Sequence, residues 1–223
     1  MSVRPPQNDE WTFSYFDFQP DQQRLRESLC TLGNGYMATR GALCERPASE
    51  TSYPGTYIAG IYNKLGTHMA GKTIYNEDLV NCPNWLPLNF RVSVPYWEKS
   101  APHTILYFHQ ELDMKNGCLR YTAQLEDFMG RVTTVSMERI VHMADPHRAA
   151  IRYTIMPENY SDDIHVRSMI DGSVTNTGVA RYRDLSSQHL TPASTGRYMK
   201  SGMYLVTRTN QSKITIAIAE KIS

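Results

Sequence analysis

The sequence predicts an all-β protein, a large antiparallel β-sandwich. Three observations carry that expectation. Side chains alternate with period two over several segments of the second half, turn residues separate those segments at short intervals, and helix signals are nearly absent.

Taken in chain order, residues 21–30 are the one stretch that invites a helix, and Glu27-Ser28-Leu29-Cys30 within it fits a strand equally well. Residues 31–100 are rich in Gly, Asn, Pro, Tyr and Trp, with short apolar runs at 57–62 and 88–94. That composition predicts strands separated by long structured loops, the places where contacts to ligands or other domains gather. Further on, Leu119, Tyr121, Ala123 and Leu125 fall on every second position. The same period holds for Val135, Met137, Val141 and Met143 around Arg139, for Ile151, Tyr153 and Ile155, for Ile164 and Val166, and for Ile214, Ile216 and Ile218. Period two sends these side chains to one face of a pleated strand and the Arg, Thr and Glu between them to the other.

Lys115-Asn116-Gly117 and Met129-Gly130 predict hairpin connections, while Asp145-Pro146-His147, Pro157-Glu158-Asn159 and Asp171-Gly172 predict other turns. Strand–helix alternation is missing, which argues against a parallel α/β sheet. The stretch 214–223 reads as a strand, so the sandwich is expected to be incomplete at its C-terminal end.

A chain of 223 residues can bury a substantial core, and a single all-β domain of that length is the expectation. Hydrophobic residues make up 41% and charged residues 20%, as in globular rather than disordered chains. With 23 Lys plus Arg against 22 Asp plus Glu, the net charge of +1 gives no electrostatic ground for nucleic acid or an anionic membrane as partner. No apolar run approaches the ~18 residues of a membrane span, and no apolar segment follows the N-terminal charge as in a secretion signal. Cys30, Cys44, Cys82 and Cys118 lack metal-ligand spacing and read as buried small hydrophobes of a reduced, cytoplasmic protein. In that compartment the sequons at Asn159 and Asn210 are chance matches.

Three segments invite a chemical reading. In 32–41, Gly33-Asn34-Gly35 lacks the third glycine spacing of a dinucleotide loop and the Gly-Lys-Ser/Thr of a P-loop. A tight turn entering a strand is the expectation instead. In 53–62, Pro54-Gly55 suits a type II turn into a strand, and the tyrosines suit either sugar stacking or core packing. In 77–88, Glu77 and Asp78 are adjacent, whereas a glycosidase sets two carboxyl groups about 5 to 10 Å apart across the scissile bond. Neighbours in a strand point to opposite faces, so these two make a poor acid/base pair, and a rigid Asn-braced loop with Trp85 packed on a neighbour is expected. The seven histidines carry no metal-binding spacing, and no Gly-x-Ser-x-Gly elbow occurs. No catalytic residue and no metal ligand is assigned within this chain.

The three segments, TLGNGYMATRG followed by CE, YPGTYIAGIYN and EDLVNCPNWLPL, together resemble the N-terminal domain of glycoside hydrolase family 65. LDMKNGCLRY, MERIVHMADPHRAAIRYTIMPENYS and IDGSVTNTGVARYR continue the resemblance in order, from about Trp11 to the end. The family holds maltose, kojibiose, nigerose and trehalose phosphorylases and related glycosidases. The resemblance implies a galactose-mutarotase-like super-sandwich joined to an (α/α)6 barrel that lies outside these 223 residues. It implies an inverting reaction on an α-glucoside disaccharide, with a glutamate acid on the barrel and phosphate or water as the attacking group. Inorganic phosphate is then a co-substrate of a phosphorylase, and no other cofactor is implied. The motif positions that carry over are Arg40 and Glu45 with the glycines around Asn34, Tyr57 with Pro54, Gly55 and Gly60, and Asn81, Asn84 and Trp85. These are expected to face the barrel and shape the mouth of its sugar pocket. The alternatives are a free-standing carbohydrate-binding module and a domain that mediates a homodimer.

Overall fold

A computed structural model describes residues 10–93, 103–177 and 184–223. Residues 1–9, Val94 at the end of the 88–94 run and residues 178–183 of the IDGSVTNTGVARYR segment lie outside the described residues. The strands are β1 Thr12–Tyr15, β2 Leu32–Gly33, β3 Met37–Thr39, β4 Thr56–Ile58, β5 Tyr62–Met69, β6 Lys72–Leu79, β7 Leu88–Val92 and β8 Thr104–Asp113. They continue with β9 Cys118–Glu126, β10 Val132–Val141, β11 Ala149–Pro157, β12 Ile164–Ser168, β13 Leu190–Tyr198, β14 Gly202–Thr209 and β15 Thr215–Lys221. A 3-10 turn at Pro20–Gln22 leads into one short helix, α1 Gln23–Leu29, so the 21–30 stretch resolves as helix. The all-β, antiparallel fold agrees with the β-sandwich expected from the sequence.

The chain divides into two compact units, Met1–Asp21 with Arg91–His165 and Gln22–Phe90 with Val166–Ser223. The first is a five-stranded sheet in the order β1-β8-β9-β10-β11, antiparallel throughout. Its buried face is the alternating one: Leu119, Tyr121, Ala123 and Leu125 on β9 and Val135, Met137 and Val141 on β10 are all buried. Each such side chain contributes about 1.5–3 kcal/mol by leaving water, Ala123 less. Phe108 stacks on Tyr121 with ring centroids 6.4 Å apart. Two positions depart from expectation. Met143 lies past the end of β10 and is exposed, and Arg139, which shares the parity of Val135 and Met137, is fully buried among them. The outward face carries Arg120 between Asp113 and Glu138, each 3.1 Å away.

The second unit holds the sheets β2-β3-β4, β5-β6 and β13-β14-β15, again antiparallel. β7 and β12 pair with each other. The core of this unit is Val80, Cys82, Val174, Leu190 and Ile216, with Ile58 and Ile61 against it. All four cysteines are buried and free. Burial pushes the Cys82 thiol up to about 12.

Two glycines fix the local path here. The turn between β2 and β3 closes with Asn34 N–H donating to the Met37 carbonyl at 3.1 Å, and Asn34 Oδ1 accepts from the Tyr36 and Met37 amides. Gly35 takes φ 86° in it, a region costly for other residues. Gly55, by contrast, does not sit at positive φ, so Pro54-Gly55 is not the type II turn expected. The glycine is needed there for space: a Cβ would lie 2.6 Å from Arg40 Cδ and 2.8 Å from the Tyr57 ring.

Candidate functional site

The short helix α1 supplies the first wall of a site in the second unit. Its inward face carries Glu27, which is 3% exposed. The carboxylate accepts from Ser52 Oγ at 2.7 Å and from the Tyr53 amide at 2.8 Å. Arg40, just past β3, reaches back across the helix. Its Nε donates to the Tyr53 carbonyl at 2.8 Å, Nη1 to Ser28 Oγ at 2.6 Å and Nη2 to the Arg24 carbonyl at 2.7 Å, and Nη2 lies 3.8 Å from Glu27 Oε2. The guanidiniums of Arg24 and Arg40 each lie 5.2 Å from the Tyr53 ring centroid. Planar cations over an aromatic ring are held by its quadrupole.

Burial is the largest influence on the Glu27 carboxyl and raises it above its ordinary value of 4.5, while Ser52, the Tyr53 amide and the charges of Arg40 and Arg24 pull the other way. A carboxyl raised in the folded state keeps its proton to higher pH than in the unfolded chain. The stability it contributes is therefore complete below 4.5 and is lost as pH rises through the folded value. Measured against Glu27→Gln, the parent chain is expected to gain stability as pH falls toward 4.5. Urea titrations of both proteins across that window check this, and parallel curves would contradict it.

A pocket of about 400 Å³ opens beside this network, walled by Arg24, Arg40, Tyr53, Tyr57, Asn76 and Asp78. Tyr57 comes from β4, and Asn76 and Asp78 from β6. Burial, with Tyr53 as its neighbour, pushes the Tyr57 phenol well above its usual range. Positions 76 and 78 share a face of β6 under strand periodicity, and Asn76 Nδ2 donates to Asp78 Oδ2. Glu77 takes the opposite, exposed face, as expected of two neighbours on a strand. Behind Asp78, His189 is buried with Nε2 3.4 Å from Asp78 Oδ2, and its Nδ1 lies 3.1 Å from Asn63 Nδ2. Burial lowers the His189 pKa and Asp78 opposes that shift, leaving the ring below its ordinary value.

Arg40 and Tyr57, drawn from two separate motifs, thus meet in one pocket. Asn81 lies behind it, fully bonded: its Oδ1 accepts from the Thr56 amide at 3.0 Å, and its Nδ2 donates to the carbonyls of Pro54 at 3.3 Å and Thr175 at 3.2 Å. Asn84, Trp85 and Glu45 do not line the pocket. Asn84 Oδ1 accepts from the Leu86 amide, and its backbone exchanges two 2.8 Å bonds with Asp171. Trp85 is half-buried, and its Nε1–H has no hydrogen-bond partner among the described residues. Glu45 sits in the loop after β3, where its charge opposes the lowering that burial imposes on Arg46. Motif reading passes over Asn76 and His189, and takes Asp78 only as a neighbour of Glu77. Their signal is the two-residue spacing of Asn76 and Asp78 on one strand; nothing in the sequence ties His189 to them. No group of three or more His, Cys, Asp or Glu side chains able to hold a metal occurs among the described residues.

An antiparallel β protein with a polar pocket in its second unit is the class this geometry defines. The chain belongs to glycosyl hydrolase family 65: the model of that family's N-terminal domain matches residues 13–223. An uncharacterized glycosyl hydrolase of Mycobacterium tuberculosis is 44% identical over 214 residues, covering 96% of this chain and 16% of the relative. A kojibiose phosphorylase of Thermoanaerobacter brockii is 31% identical over 215 residues, covering 96% of this chain and 26% of the relative. A solved structure provisionally assigned as a kojibiose phosphorylase from human microbiome superposes with a TM-score of 0.79 at 18% identity, covering 96% of this chain and 28% of that one. The chain therefore spans only 16% to 28% of the length of these proteins. No helix among the described residues is long and apolar enough to cross a membrane.

Proposed function

We propose that this chain is the accessory N-terminal domain of an inverting enzyme that cleaves α-glucosidic disaccharides by phosphorolysis or hydrolysis. Its partner is an (α/α)6 catalytic barrel outside these residues, and inorganic phosphate is the co-substrate in the phosphorolytic case. The enzyme works in the cytoplasm. The observation that supports the reading is the convergence of Arg40 and Tyr57 on one pocket, with Asn81 bracing it from behind. Relatives named kojibiose and maltose phosphorylases support this choice of substrate class. Assay of the full-length protein on maltose, trehalose, kojibiose and nigerose, with and without phosphate, tests the reading. Cleavage of none of them under either condition would overturn it.

The motif loops brace the catalytic domain and the mouth of its sugar pocket. Trp85 is the residue to probe, because its half-buried ring leaves an indole N–H unpaired among the described residues. Trp85→Ala in the full-length protein is expected to lower kcat/KM about tenfold, or ~1.4 kcal/mol of transition-state stabilisation. Unchanged kinetics together with an unchanged melting temperature would remove Trp85 from the site. A carbohydrate-binding module is the second reading, favoured by the polar pocket itself; binding of glucosides without the catalytic domain separates it from a purely bracing role.

A further inference from the structure

We infer that the pocket on β4 and β6 is itself a binding site for a neutral saccharide, whose hydroxyls are received by the Asp78 carboxylate and the Asn76 side-chain carbonyl. The first observation is an orphan acceptor. Asn76 is 7% exposed, its Nδ2 is committed to Asp78, and its buried Oδ1 has no hydrogen-bond partner among the described residues. Buried acceptors are nearly always satisfied, and since Asn76 lines the pocket, a ligand that draws its side chain outward can supply the missing donor.

The second observation is that Asp78 is held in place from behind. Asn63 Oδ1 accepts from the backbone amides of Gln211 at 2.9 Å and Ser212 at 3.0 Å. That fixes the amide of Asn63 with Nδ2 toward His189 Nδ1. His189 Nδ1 is then the acceptor, and the proton of the neutral ring stays on Nε2, 3.4 Å from Asp78 Oδ2. Asn76 Nδ2 donates to Asp78 Oδ2, and His189 Nε2 lies 3.4 Å from the same oxygen without closing a hydrogen bond, so Oδ1 is the oxygen that remains for a ligand. A carboxylate held by Asn76 with a buried histidine beside it is the kind of preorganised acceptor that recognises a pair of hydroxyls.

The third observation sets the ligand's charge. Arg24 and Arg40 are offset by Asp78 and by Glu27. An anion would meet the Asp78 carboxylate, and a cation would meet two guanidiniums. A polyhydroxylated neutral molecule can donate to Asp78 and Asn76 and accept from Arg24 at once. Because both arginines already lie against Tyr53, Tyr57 is the aromatic wall left for the apolar face of a sugar ring. The volume of about 400 Å³ falls within the ~300–1,000 Å³ typical of small-molecule sites.

The choice of glucosides as probes rests on the function proposed above; the geometry of the site does not. Saturation-transfer NMR and calorimetry on the 223-residue chain with glucose, maltose and kojibiose are expected to show binding at millimolar concentration, not displaced by inorganic phosphate. Asp78→Asn is expected to weaken it at least tenfold. Ser186→Trp, an exposed position at the pocket rim whose replacement leaves Asn76 and the buried histidine intact, is expected to abolish it with the melting temperature unchanged. Absence of binding by the parent chain, displacement of the sugar by phosphate, or equal binding by a folded Ser186→Trp variant would overturn the site. Cleavage of a disaccharide by the full-length protein alongside any of these results leaves the accessory-domain reading standing, so the two fail separately.

Discussion

Replacing Arg40 by Ala is expected to destabilise the second unit by about 3–5 kcal/mol, the cost of leaving a buried charge without its partner. Glu27 is 3% exposed and the Arg40 side chain 15%, so both ends of the pair are largely withdrawn from water. The truncation also strands the Tyr53 carbonyl, which accepts from Arg40 at 2.8 Å, while the Arg24 carbonyl keeps Ser28 Oγ at 3.2 Å. One of the two cations over the Tyr53 ring goes as well. Lysine is not a conservative replacement, because one ammonium cannot serve three acceptors in three directions. A midpoint shift in urea, or a fall in Tm on the order of 10 °C, reads the effect. The double variant Glu27→Gln with Arg40→Met should cost less than the sum of the two single changes, since it removes both charges together. An Arg40→Ala variant within about 1 kcal/mol of the parent would show that the ion pair is solvated and carries little.

How far this was legible from the sequence depends on which face of each strand is apolar. On β9 and β10 the inward face is nearly all apolar, and the period-two pattern of Leu119 to Leu125 reports it directly. Arg139 breaks the pattern from within, because a charged residue at a core parity looks like a face change. β5 and β6 are hidden for a related reason. Their inward positions include Asn63 and Asn76, so burial there follows hydrogen bonding rather than hydrophobicity. α1 is seven residues long, and the residues it buries are Gln23, Arg26 and Glu27, which leaves no apolar stripe to count. The site shows the same division. The resemblance to family 65 marks the three motif segments and, within them, Arg40, Tyr57 and Asn81. Asp78 was weighed only as half of a carboxylate pair with Glu77, although its working neighbour is Asn76, two residues back. His189 contacts Asn63 across a separation of 126 residues, a distance no local pattern spans.

Asn81 makes the sharper test of what holds the pocket open. Its side chain is 2% exposed and uses every polar atom on backbone groups. Asn81→Ala leaves the Thr56 amide and the Pro54 carbonyl to find water in a buried place, while the Thr175 carbonyl keeps the Tyr53 hydroxyl at 3.2 Å. Each buried group left unsatisfied costs about 1–3 kcal/mol, so a loss of about 3–4 kcal/mol is expected once some water enters. Asn81→Asp keeps the volume but turns a donor pair into an acceptor facing two carbonyls, and is expected to be at least as damaging at neutral pH. The structural consequence falls on β4, because Thr56 opens the strand that carries Tyr57. Amide exchange at Thr56 should therefore accelerate in Asn81→Ala beyond the change in global stability, since the bond to Asn81 Oδ1 is what ties that amide down. If Thr56 stayed as protected as in the parent, and stability moved by less than about 0.5 kcal/mol, Asn81 would be a spectator. The pocket wall would then be set by the packing of Arg40 and Tyr57 against Gly55 alone.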